Sequence, residues 1–274
     1  GGRNEKQIAP KLILLANELQ KAGEKNFKDK EYEEALKAFE GALKITRISA
    51  LSLETDTSLI YNTALAAYEA KELDTAIDYL GKLHNQKHSV NVTHLLSDVY
   101  LQKGDTTLAE NTLYQGAKQF DYNDRLMLLL TELLYKTNNS DIGLKRLNEA
   151  IAEKPMSHTL HFTKGLLYQK TNQYQKAIDS YTEANRLAPD ELMVYVNIAT
   201  CYFNIGVEIE EIVMQLTSIR AVEEQKAKSA KAFSQATHWL DMAMSQKSVD
   251  QSTLSLINEL YRMLGATDRI GNGN

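Results

Sequence analysis

The chain has few of the residues that interrupt helices. Its 274 residues include 13 Gly and 3 Pro, about half of average usage. Sandwiches, barrels and propellers need such residues at many tight turns, so the composition speaks against them and for a chain that runs mostly in helices. Collagen-like sequence and Pro/Gly-rich disorder are excluded on the same count. Cysteine is scarcer still. Cys201 alone leaves no internal disulfide and no cysteine-based metal site. Charge of one sign is lacking too: 31 Lys+Arg against 36 Asp+Glu give a net −5 and a pI near 5.8. With no Lys/Arg-rich run, a nucleic-acid partner has no support. No apolar run approaches the ~18 residues of a membrane span. No export signal is visible at Gly1–Pro10, and the Gly-Gly start reads as a cloning remnant, so this end leaves the compartment open. What is present in quantity is hydrophobic residues, 43%, enough to bury a sizeable core.

Those residues recur with a period. In His158–Glu191 the anchors are Gly165, Tyr168, Tyr174, Ala177, Tyr181, Ala184 and Pro189, at positions 8, 11, 17, 20, 24, 27 and 32 counted from His158. The same register returns from Ala16 (Gly23, Tyr32, Ala35, Phe39, Ala42) and from Thr57 (Ala64, Leu73, Ala76, Leu80, Leu83). It continues from Val90 (Ser97, Tyr100, Ala109, Leu113, Gly116), from Asp124 (Leu134, Gly143, Leu147, Ala150, Pro155) and from Leu192 (Ala199, Tyr202). The starts are spaced 41, 33, 34, 34 and 34 residues, and the seven-residue excess of the first falls in Ser49–Asp56. Within a repeat the apolar pattern is helical: Leu126, Leu129, Leu130, Leu133 and Leu134 follow i, i+3, i+4, i+7, i+8. Lys103–Asp105 and Asn138–Asp141 are helix stop and start signals.

The pattern resembles the tetratricopeptide repeat (TPR), whose small residues at 8, 20 and 27 let two helices approach and whose aromatics fill the space between repeats. The resemblance implies a right-handed α-solenoid: about six helix pairs, near 16–49, 57–90, 90–123, 124–157, 158–191 and 192–250, with a capping helix at 251–264, all in one domain over 1–274.

The sixth repeat is interrupted. Its second-helix anchors reappear late, as Phe233, Ala236, Leu240 and Ala243, which implies about 25 inserted residues at 207–231. The insert holds no Pro or Gly, and Ile205, Ile209, Ile212, Leu216 and Ile219 step by 4, 3, 4 and 3. That spacing predicts two lengthened helices forming a projecting hairpin with a coiled-coil-like seam. Either the arms only cover each other, or Ile209, Ile212, Leu216 and Ile219 also offer a docking or dimer surface beside the Ala-rich return arm (Ala227, Ala230, Ala232). The stretch is similar to exported TPR proteins common in Bacteroidetes. The residues concerned are Ile198, Tyr202–Asn204, Gly206–Glu208, Trp239, Leu240, Ala243, Ile257, Tyr261 and Gly265. That similarity implies an extracytoplasmic, periplasmic or envelope-associated setting and no known chemistry, and leaves a cytoplasmic one open.

Signatures of catalysis are missing. There is no phosphate loop, no Gly-x-Ser-x-Gly elbow, no His-Glu-x-x-His and no calcium loop. His84/His88 and His158/His161 have helical ligand spacing but no accompanying carboxylate, so surface or packing roles are expected. Cys201 reads as a buried thiol, because the register indicates no cationic or histidine partner for it. No catalytic residue, metal or cofactor is expected.

Function must then lie on a surface. TPR proteins bind peptides along the concave face lined by the first helix of each pair, and the resemblance carries its positions 5, 9 and 12 onto this chain. They are Tyr61, Leu65 and Tyr68; His94, Asp98 and Leu101; Leu128, Glu132 and Tyr135; Phe162, Leu166 and Gln169; and Val196, Thr200 and Phe203. Position 6 adds the amides of Asn62 and Asn197. An equally available role for each apolar member is packing between repeats. The charged clamp of chaperone-tail-binding TPRs is doubtful here, since Gln20, Glu24, Asn91 and Leu95 occupy its other positions and only Asn62 matches. The sequence therefore implies a non-enzymatic scaffold that binds a protein or peptide in an aromatic-lined groove. The alternative is an assembly component of a bacterial envelope that acts, or self-associates, through the hairpin.

Overall fold

The computed structural model describes residues 2–48, 56–246 and 248–270, and among them lie thirteen α-helices, a short 3-10 helix at Thr267–Arg269, and no strand. Two compact units, Gly1–Leu130 and Thr131–Asn274, divide the chain.

The N-terminal unit holds α1 (Gly2–Lys28), α2 (Tyr32–Thr46), α3 (Thr57–Glu69), α4 (Leu73–Asn85), α5 (Val90–Gln102), α6 (Thr106–Gln119) and the start of α7 (Asp124–Lys136). From α1 to α6 each helix packs on the next. The C-terminal unit continues with α8 (Ser140–Glu153), α9 (His158–Lys170), α10 (Tyr174–Leu187), α11 (Leu192–Val213), α12 (Ile219–Met244) and α13 (Gln251–Met263). Here too successive helices from α8 to α13 pack together, and α13 also reaches α11. The predicted starts at 57, 90, 124, 158, 192 and 251 are the first residues of α3, α5, α7, α9, α11 and α13. Side-chain caps account for several of them: Asp56, Ser89, Ser157 and Asp250 each accept a backbone N–H from the helix they precede.

The repeat has a conformational signature. At position 15 the residues are Lys30, Lys71, Gly104, Asn138, Asn172 and Gly265, all with φ between 57° and 81°. At each, the position-15 N–H bonds to the position-12 carbonyl and the next N–H to position 11, as in Lys71 N→Tyr68 O (3.2 Å) and Glu72 N→Ala67 O (2.9 Å). This left-handed cap consumes the last carbonyls of the first helix and turns the chain toward the second. Small-against-large packing locks each pair. A Cβ on Gly23 would sit 2.6 Å from the Phe39 ring, and one on Gly165 2.6 Å from Tyr181.

Two places differ from the expectation. The first helix begins at Gly2 instead of near Ala16, carrying Pro10 inside it. Proline costs a helix one backbone bond and a steric clash, which is why the periodicity alone does not extend past it. The Ser49–Asp56 connection lies outside the described residues as far as Thr55. In the sixth repeat both helices are lengthened as the insertion predicts, yet α11 stops at Val213, so Leu216 falls in the turn and the seam is not one continuous helix. The arm is closed by Gly206 against the Phe233 ring, by Phe203 against Phe233 at 5.9 Å, and by a hydrogen bond from Ser229 to Glu210. Gly206 stands at position 15, where the other repeats turn; here it stays helical so that Phe233 can close on it.

By length and mean hydropathy (1.4) α11 would suffice to cross a membrane, although no single apolar run does. In this fold its Val194, Ile198 and Cys201 are buried in a core cluster with Ala177, Ile178 and Tyr181 of α10.

Candidate partner-binding face

In the N-terminal unit the first helices of the pairs are α1, α3 and α5. Tyr61, Asn62, Leu65 and Tyr68 emerge half-buried from α3, His94 and Asp98 half-buried from α5, and Leu101 and Leu128 are exposed. Asn62 and Leu65 line a cavity of about 140 Å³ together with Glu24, Phe27 and Phe39. Glu24 and Phe27 are positions 9 and 12 of the first repeat and are missing from the expected set. The positional rule that selects Leu65 and Tyr68 would have found them had it been applied from Ala16.

Tyr68 and Asp98, position 12 of one repeat and 9 of the next, are joined by a 2.5 Å hydrogen bond donated by the Tyr68 hydroxyl. Gln102 Nε2 donates to the same carboxylate oxygen at 2.9 Å, and Lys71 lies over the Tyr68 ring at 5.2 Å. The bond to Asp98, with burial behind it, pushes the Tyr68 phenol up to about 12. Tyr61 stacks on His88, rings 5.7 Å apart and 15° from parallel. These residues present rigid aromatic edges with fixed hydrogen-bond partners, a surface that loses little entropy on binding.

In the C-terminal unit the expected residues divide. Glu132 is exposed and paired with Lys136 at 2.7 Å, which holds its carboxyl below the usual range. Tyr135 is exposed, with Lys170 over its ring at 5.1 Å. Phe162 and Leu166 are half-buried against the Tyr181 cluster, and Gln169 accepts the Tyr181 hydroxyl at 2.6 Å. Val196 is 1% exposed, inside a core cluster with Ile257, Leu260 and Tyr261 of α13, so it offers nothing to a partner. Asn197 and Thr200 spend a donor on the carbonyl four residues back, and Phe203 packs on Phe233. In this last pair α13 and the arm take up the positions that stay more open in earlier repeats.

At the arm tip Ile212 is 49% exposed and Ile219 78%, while Ile209 and Leu216 are half-buried. Met214, unselected because it lies off the seam, is 79% exposed. His84 is taken up by Thr93 at 3.0 Å and His161 by the Pro155 carbonyl at 3.0 Å. Among the described residues no three His, Cys, Asp or Glu side chains converge as a metal would need. Cys201 is buried, and burial pushes its thiol up to about 12.

A tetratricopeptide repeat family model matches residues 158–191, the segment in which Gly165 meets Tyr181. The chain carries a tetratricopeptide repeat at those residues, and its other repeats keep the same register. It is 27% identical over 195 residues to the Hsp70-Hsp90 organizing protein of Triticum aestivum, which covers 68% of this chain and 31% of that one. The chain thus spans about a third of that relative's length. Among solved structures, a monomeric mutant of IFIT1 with m7Gppp-AAAA matches with a TM-score of 0.51 at 14% identity, over 90% of this chain and 56% of that one. A TPR repeats protein (BF2334) from Bacteroides fragilis matches with a TM-score of 0.47 at 17% identity, over 90% and 98%. Tetratricopeptide-repeat proteins, the Hsp70-Hsp90 organizing protein among them, generally mediate protein–protein interactions.

Proposed function

We propose that this protein is a non-enzymatic interaction module that seats a peptide or protein segment along the first-helix face of its repeats, the N-terminal unit holding the principal site. The cavity beside Asn62 and Leu65 carries the reading. It is a concave, largely apolar recess at the positions where a repeat of this family would take a side chain, bordered by the Asn62 amide and the Glu24 carboxylate for polar contacts. No charged clamp for a chaperone tail is part of the proposal, since only Asn62 of that pattern is present. The test is a pull-down from the source cell with wild type, Asn62→Ala and Tyr68→Ala, each checked for an unchanged melt. Partners lost with both variants support the reading, and an unchanged partner set refutes it.

A second reading rests on the exposed Ile212, Met214 and Ile219 at the arm tip. A hairpin that ends in uncovered apolar side chains suits assembly or self-association, and the C-terminal similarity suggests a cell envelope as the setting. Deleting 207–231 and measuring mass by light scattering separates the two. Loss of association with groove binding intact favours the arm, and no change in association refutes it.

A further inference from the structure

On the same face Arg125 is distinguished by what holds it. It is the second residue of α7, and its Nη1 donates to Asn91 Oδ1 at 2.9 Å while Nη2 lies 3.1 Å from His94 Nδ1. Asn91 and Arg125 stand at position 2 of consecutive repeats and His94 at position 5, so two adjacent first helices contribute the three side chains. Neither partner carries negative charge. One is an amide, and burial together with the neighbouring guanidinium holds the His94 imidazole below its usual range, leaving a lone pair on Nδ1 at neutral pH. Among the described residues no carboxylate pairs with Arg125. Asp98, one turn along α5, is engaged by Tyr68 and Gln102. The guanidinium is therefore oriented but not neutralised. Arg125 and Asn91 are exposed and His94 half-buried, so the remaining guanidinium donors face an accessible surface.

We propose that Asn91, His94 and Arg125 form a subsite for an oxyanion, a carboxylate or phosphate group carried by the bound segment. This deepens the groove reading and rests on it for its biological ligand. Two N–H groups of a planar guanidinium match two oxygens of either group, which a point charge would not do. An incoming oxygen replaces His94 Nδ1 as acceptor at Nη2. The freed imidazole then takes a proton and adds a second charge-assisted bond to the anion. Asp98 on its own helix and Arg125 from α7 are the charged groups that act on His94. The anion screens Arg125, and protonation becomes easier when the subsite is filled.

The test needs no partner. The His94 side-chain resonances are followed by NMR against pH in inorganic phosphate, in acetate and in sodium chloride of equal ionic strength. The expected result is a saturable change at His94 and an upward move of its titration with phosphate or acetate but not with chloride. The stronger of the two anions tells a phosphoryl ligand from a carboxylate one. Arg125→Gln is expected to weaken the response about tenfold or more, the loss of a charged hydrogen-bond pair. Asn91→Ala is expected to weaken it severalfold with an unchanged melt. A response equal in chloride, no response to either anion, or full response in Arg125→Gln overturns the subsite. Anion binding with no partner lost in Tyr68→Ala would leave the subsite standing and sink the groove reading. Partner loss with a silent His94 would do the reverse.

Discussion

Replacing Gly165 by alanine tests the packing logic of the repeat most directly. Its added Cβ would sit 2.6 Å from both Cδ1 and Cε1 of Tyr181, where carbon atoms prefer about 3.5–4.0 Å. Roughly 1 Å of movement is needed, and the ring has nowhere to go. Tyr181 is 0% exposed, its hydroxyl donates to Gln169 Oε1 at 2.6 Å, and Phe162 lies 5.5 Å from its ring. Forcing a methyl into such a core costs about 1–3 kcal/mol. Breaking the Tyr181–Gln169 bond costs about 1 kcal/mol more, while alanine's helix preference over glycine returns about 1 kcal/mol. The net expectation is a destabilisation of about 1–3 kcal/mol, read as a lower urea midpoint by circular dichroism. Gly81→Ala is the control, because a Cβ there meets nothing within 4 Å inside α4. The same propensity term then acts alone and stabilises by about 0.5–1 kcal/mol. Equal shifts in the two variants, or a Gly165→Ala protein as stable as wild type, would refute the argument that close helix approach is what glycine supplies at position 8.

Lys30→Gly should stabilise by up to about 1 kcal/mol in the same assay, because Lys30 holds φ 65° at a turn where a Cβ is strained. Acidification should weaken the N-terminal unit. His84 is held below its usual range by burial and His94 by burial and Arg125. Each contributes stability above the unfolded pKa of about 6.5, lost as pH falls from there through the depressed folded value. Urea midpoints at pH 8 and pH 5.5 should differ less in His84→Gln than in wild type. Cys201, buried with its thiol pushed up to about 12, should resist a maleimide in native buffer and react on unfolding, followed by mass spectrometry.

Much of the helical frame was legible because its causes are local. A 34-residue period and Asp or Ser before several first turns put six helix starts at the residues expected. The small residues at positions 8 and 20 announced contacts that Gly165–Tyr181 and Gly143–Leu167 make. The arm was legible as an insertion, since missing glycine and proline are a local fact, but its turn was not. Spacing carries the seam through Leu216, whereas α11 ends at Val213 and Thr217 and Ser218, whose hydroxyls compete for backbone bonds, lie just before α12 begins.

The binding face was legible only in part. Position 5 selects Tyr61 and Val196 by the same rule, yet one is half-buried on α3 and the other 1% exposed beneath α13. The arginine with two neutral partners is equally invisible in the chain, since Asn91, His94 and Arg125 meet only when α5 and α7 stand side by side. Sequence by itself determined which residues form helices and which side of each helix is apolar, because backbone bonding and periodicity act within a few residues. Tertiary structure alone decided which apolar positions are covered and which polar ones converge, because those depend on a neighbouring helix whose approach is set by side chains 16 to more than 60 residues away, as between Gly23 and Phe39 or Val196 and Ile257.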